Sequence, residues 1–108
     1  MRGLTIIVAT GDADRFDAAL AIASAHAALG ARTRLYAHKD AVPLLHKHAP
    51  AARLEAVRTA RETGVTIMAC QSGLASHDLG VADLVEAVEP GGLIQLLSEL
   101  GEDRLTIA

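Results

Sequence analysis

The chain has 108 residues with ten basic and thirteen acidic side chains, a formal charge of −3, and a length that accommodates one domain rather than two. Hydrophobic residues at 51% and charged ones at 21% exclude intrinsic disorder, while a slightly acidic balance and only two aromatics, Phe16 and Tyr36, exclude the basic, base-stacking surfaces of nucleic-acid-binding proteins. The single cysteine, Cys70, excludes an internal disulfide framework and any CxxC redox or zinc chemistry within one chain.

Gly3 to Ala9 is a nearly continuous apolar run, as expected of a strand covered on both faces in a parallel sheet; it is too short for a membrane span and lacks a cleavage site. The chain is therefore expected to be soluble and cytoplasmic, with no membrane partner. After Thr10-Gly11-Asp12, a helix capped by Asp14 is predicted to run to Leu29 and stop at Gly30. Two apolar stripes cover it, Phe16, Ala19, Leu20, Ala23 and Ala27 on one and Ala18, Ile22, Ala25 and Leu29 on the other. Such a helix is expected to be buried on more than one side, by the sheet and by another subunit.

Thr33 to His38 reads as a second strand, more exposed than the first. Asp40 is predicted to cap a short helix bearing Val42, Leu44 and Leu45, with Pro43 tolerated in its first turn. Pro50 opens a surface helix from Ala51 to Thr63, ended by Gly64. Its Arg53, Arg58 and Arg61 read as a solvated face. Val65 to Ala69 is a third strand running into Cys70, followed by a loop through Ser76, His77 and Asp78. Asp83 with Glu86 resembles a capping box for a helix through Val88, and Pro90-Gly91-Gly92 breaks the chain. Leu93, Leu96, Leu97 and Leu100 then recur at helical spacing, and Leu105 to Ile107 is a last strand.

Strands alternating with helices predict an α/β fold, a three-layer αβα sandwich around a four- or five-stranded parallel sheet. Reactive groups in such sheets gather beyond the carboxyl ends of the strands, where the loops at 10–14 and 70–80 and Cys70 all fall. A free cysteine has two readings, a small buried core residue or a thiolate stabilised by backbone N–H groups and a nearby helix start. Gln71 and Ser72 are local donors for a thiolate. His77 is either a proton carrier for Cys70 or a solvent-exposed loop residue. His46 and His48 lack the i,i+4 spacing of a helical metal site and are expected to point apart, so no metal is assigned. His26 is read as an interface or partly buried side chain. Thr10 and Gly11 lie where related folds hold phosphate, but Asp12 and Asp14 would repel it; these two residues are expected to border the Cys70 pocket instead.

Ala69-Cys70-Gln71, followed by Gly80, Leu84, Val88-Glu89, Gly91-Gly92, an amphipathic helix and a final strand, resembles the DsrE/DsrF-like sulfur-relay family over nearly the whole chain. The match is closest to a branch with an Ala-Cys-Gln motif, although here Ser72 to His77 intervene before the glycine. The resemblance implies a single DsrE-like α/β domain over residues 1–108 and trimeric or hexameric assembly. It implies a sulfurtransferase or persulfide carrier in which Cys70 accepts sulfane sulfur. The sulfur would come from a donor protein or small persulfide and pass to a partner thiol, with no cofactor. One thiol per chain suits a relay, because no resolving cysteine can expel the sulfur as an internal disulfide. The competing expectation is a non-catalytic α/β assembly or binding module with a structural cysteine. A flavin or nucleotide domain is the third, and the chain lacks aromatic residues for such a cage.

Overall fold

The computed structural model describes residues 1–108. Five strands, β1 (Leu4–Val8), β2 (Thr33–Ala37), β3 (Val65–Cys70), β4 (Glu89–Gly91) and β5 (Arg104–Ile107), form one sheet in the order β4-β3-β2-β1-β5. Every pairing is parallel. The helices are α1 (Ala13–Ala28), α2 (Ala51–Thr63), α3 (Gln71–Ser76) and α4 (Leu93–Ser98), with 3-10 turns at Lys39–Leu45 and Val81–Asp83.

The chain steps outward from β1 to β4 and then returns across the whole sheet to β5. Right-handed crossovers put the helices of the outward steps on one face and α4 on the other. On the first face α1 packs beside α2, with Ala19, Ala23 and Ala60 buried, and Arg53 bonds Asp17 at 2.9 Å to tie the two together. The opposite face carries only the six-residue α4, whose single fully buried side chain is Leu96. The three expected layers are present, and they are very unequal.

Several local expectations are corrected by the backbone. Asp12, not Asp14, caps α1, its Oδ1 accepting the Arg15 N–H at 3.0 Å; Asp14 lies in the first turn, where a carboxylate favours the helix dipole. Within one chain the Phe16 stripe of α1 is covered as expected, and Ile22 and Leu29 of the other stripe lie exposed on its surface. β2 is buried along its whole length because it lies between β1 and β3, and its polar residues are partnered. Arg34 donates to the Thr5 hydroxyl (3.1 Å) and the Leu96 carbonyl (3.3 Å) and faces the Asp103 carboxylate at 3.8 Å. Asp40 does not cap the 3-10 turn, which has no side-chain cap.

The segment after Cys70 is helix α3, not a loop. Asp83 accepts the Gly80 N–H at 2.9 Å and closes one 3-10 turn, but no helix follows to Val88, since Ala87 adopts φ +64°. Pro90 lies inside β4, an edge strand where a missing N–H is tolerated. No helix is long and apolar enough to cross a membrane.

Candidate functional site

The buried, β-branched run of β3 delivers Cys70 to the carboxyl edge of the sheet in extended conformation, and α3 begins at the next residue. Cys70 is therefore the N-cap of α3. Its sulfur does what a capping serine oxygen would do, accepting the Gly73 N–H at 3.4 Å. Ser72 Oγ is 3.0 Å from the same sulfur. From the end of β2, the Lys39 N–H and the Tyr36 hydroxyl also face it.

Two backbone features allow this approach. Lys39 has φ +50°, which turns the chain sharply after β2. Gly73 lies against that turn so closely that a Cβ would sit 2.9 Å from the Lys39 carbonyl oxygen and 2.8 Å from Val42 Cγ2.

Burial pushes the Cys70 thiol up, but the hydrogen bond to Ser72, the Lys39 N–H, the Tyr36 hydroxyl and the Gly73 N–H outweigh it and bring the pKa from 9.0 to about 6. The same proximity, added to burial, holds the Tyr36 hydroxyl well above the ordinary phenol range. Tyr36 donates to the Gly91 carbonyl at 3.2 Å. Its one proton thus has two acceptors, and a charged thiolate competes better than a neutral thiol. This arrangement favours the thiolate form at neutral pH, and Cys70 is 4% exposed. The hollows of the surface lie elsewhere, and none is lined by Cys70.

Of the expected supporting residues, Ser72 reaches the sulfur. Gln71 is exposed in the first turn of α3. His77 is exposed and turned to Asp40, with Nε2 3.0 Å from Oδ1, so its partner is a carboxylate rather than the thiol. Thr10 accepts the Asp12 N–H at 3.3 Å, and Gly11 packs against the Asp40 backbone; both belong to the neighbouring turn at the end of β1.

Tyr36 and Lys39 were not visible in the sequence pattern as site residues. Their signal was register, since Tyr36 lies beside Met68 and only strand pairing brings it to Cys70. His46 and His48, expected to point apart, have rings 5.3 Å apart. His26 bonds Thr33 at 2.8 Å. Arg58 bonds Glu55 and, at 3.2 Å, Glu62. No three His, Cys, Asp or Glu side chains are close enough to share a metal ion.

Comparison with solved structures shows the same fold over the full chain. A protein of unknown function, MTH1491 from Methanobacterium thermoautotrophicum, matches with a TM-score of 0.84 at 18% identity, with 100% of both chains covered. The ychN protein from E. coli matches at 0.80 and 18%, again with 100% of both chains covered. BT1422 from Bacteroides thetaiotaomicron, a conserved protein of unknown function, matches at 0.73 and 17%, covering 98% of this chain and 94% of its own. No curated protein matches. The family model described as DsrE/DsrF-like matches residues 3–106, and the chain belongs to the DsrE/DsrF-like family.

Proposed function

We propose that this protein is a sulfur-relay subunit in which Cys70 carries sulfane sulfur between a donor and a partner thiol. The observation that carries the reading is a sulfur at the N-cap of α3 held by the Gly73 N–H and the Ser72 hydroxyl, with the Lys39 N–H and the Tyr36 hydroxyl turned toward it, in a family linked to sulfur relay.

The Cys70 thiolate attacks the outer sulfur of a donor persulfide, R–S–SH. A new S–S bond forms at Cys70, the donor's S–S bond breaks, and the donor leaves as the thiolate RS⁻. An acceptor thiolate then attacks the outer sulfur, becomes the persulfide, and releases Cys70 as thiolate. Neither transfer has a net change of oxidation state. The donors around Sγ assist both steps, stabilising the attacking thiolate in the first and the leaving thiolate in the second.

The 4% exposure of Cys70 favours a second reading, a structural cysteine that caps α3. Exposure of reduced protein to inorganic polysulfide, followed by intact mass spectrometry, separates the two. The relay requires one added sulfur on the wild type and none on Cys70→Ser. An unmodified wild-type thiol that also resists alkylation establishes the structural reading.

The relay subunit is further proposed to work in the cytoplasm as a homo-oligomer, a trimer or hexamer. The uncovered stripe of α1, with Ile22 57% and Leu29 68% exposed, and the thin α4 face, with Ile94 87% and Ile107 67% exposed, support assembly. Light scattering at micromolar concentration is expected to give a multiple of the chain mass. A monomer there refutes assembly.

A further inference from the structure

His38 is the last extended residue after β2, with φ −97° and ψ 132°. Ala37 is paired with Ala69, so the next residue on each strand, His38 and Cys70, stand side by side at the carboxyl edge. Both are extended, and strand alternation places Tyr36 and His38 on the same face as Met68 and Cys70. The His38 ring stacks on Tyr36, centroids 6.2 Å apart, and the Tyr36 hydroxyl faces the cysteine sulfur.

His38 Nδ1 is closed off from solvent and has no hydrogen-bond partner. It is the one buried side-chain nitrogen or oxygen in the protein so placed. Buried polar atoms are nearly always satisfied, so an orphan on the strand next to Cys70, at the same edge of the sheet, calls for a partner that arrives later. The bare Sγ already has partners of its own, the Gly73 N–H at 3.4 Å and the Ser72 hydroxyl at 3.0 Å. A persulfide adds a second sulfur about 2 Å beyond Sγ. That outer atom bears the charge of the loaded form and needs a donor of its own. His77 is engaged with Asp40.

We infer that His38 is the positioning residue for the loaded state, donating from Nδ1–H to the outer sulfur of the Cys70 persulfide. This rests on the sulfur-relay reading and adds to it the group that retains the cargo between donor and acceptor.

The test loads wild type, His38→Leu, His38→Asn and His38→Gln with inorganic polysulfide, removes the excess, and follows loss of the extra sulfur by intact mass. The alkylation rate of the unloaded thiol is measured in parallel. Losing a hydrogen bond to a charged sulfur is expected to speed decay of the loaded form about tenfold in His38→Leu. His38→Asn, whose amide nitrogen takes the place of Nδ1, is expected to retain sulfur nearly as wild type does. His38→Gln, whose amide reaches past that position, behaves as Leu and replaces it if Leu does not fold. Alkylation of the unloaded thiol is expected to be alike in all four.

Equal decay in wild type and His38→Gln overturns the inference while leaving the relay reading intact. So does faster decay matched by an equal change in the unloaded thiol, which marks altered packing. A wild-type protein that loads no sulfur overturns both.

Discussion

Alkylation of Cys70 is expected to reach half its maximal rate at about pH 6 in the wild-type protein, and in Gly73→Ala that midpoint is expected to move up toward the 9.0 of an ordinary thiol. Alanine would gain roughly 1 kcal/mol over glycine from helix propensity within α3. The new methyl group, however, meets the Lys39 carbonyl oxygen at 2.9 Å and its Cα at 3.0 Å. These are backbone atoms that cannot rotate aside, and overpacking of this kind costs about 1–3 kcal/mol. Relief comes by parting α3 from the turn after β2, which withdraws the Lys39 N–H from the sulfur. The variant is thus expected to lose stability by up to about 2 kcal/mol and to raise its thiol pKa. An unchanged midpoint would show that the Lys39 turn does not set the acidity.

The depressed pKa has a consequence for stability with a definite sign. Below pH 6 the thiol is protonated in the folded and the unfolded chain, and the donors give no pH-dependent advantage. Between about 6 and 9 the folded protein holds a thiolate while the unfolded chain holds a thiol, so stability rises with pH through that window. It is fully present above 9 and lost as pH falls through 6. The stability difference between wild type and Cys70→Ser therefore shifts in favour of wild type from pH 6 to pH 9.

Asp103→Ala is expected to cost about 3 kcal/mol in urea unfolding, at the low end for breaking a buried ion pair. Arg34 is 5% exposed, and burial, followed by the neighbouring Arg32, lowers its pKa, while Asp103 opposes them. Removing the carboxylate leaves a guanidinium inside the protein with only the Thr5 hydroxyl and the Leu96 carbonyl. Arg32, 3.4 Å from Asp103, is half exposed and contributes little. The double substitution Arg34→Met with Asp103→Leu removes the charge together with its partner and is expected to recover most of the loss. If the double variant is no more stable than Asp103→Ala, the stranded charge is not the cause. The pair matters because it anchors β5 and α4, the thin layer over the face that carries Tyr36 and Cys70.

Much of the scaffold was legible from periodicity and punctuation. The β-branched runs at 4–8 and 65–70 can do little but form covered strands, and Gly64 at φ +115° ends α2 where the charged pattern stops. Capping was harder. Asp12 and Asp14 are chemically equivalent candidates two residues apart, and only the direction of the chain leaving β1 selects the first. The segment 71–76 reads as a loop because serine and glycine are poor helix formers, yet Cys70 caps it and contact with the Lys39 turn holds it. Pro90 looked like a break, and an edge position made it a strand.

By itself, the sequence determined that this chain has an α/β fold and that its only thiol stands at the carboxyl end of a parallel strand. Both follow from local properties, side-chain branching and the spacing of apolar residues. The surroundings of that thiol were decided by tertiary structure alone. Tyr36, His38 and Lys39 lie more than 30 positions away, and no local pattern encodes the strand pairing that sets them beside Cys70. Tertiary structure also decided how far β2 is buried, because a strand with Thr33 and Arg34 reads as exposed until neighbours supply their partners.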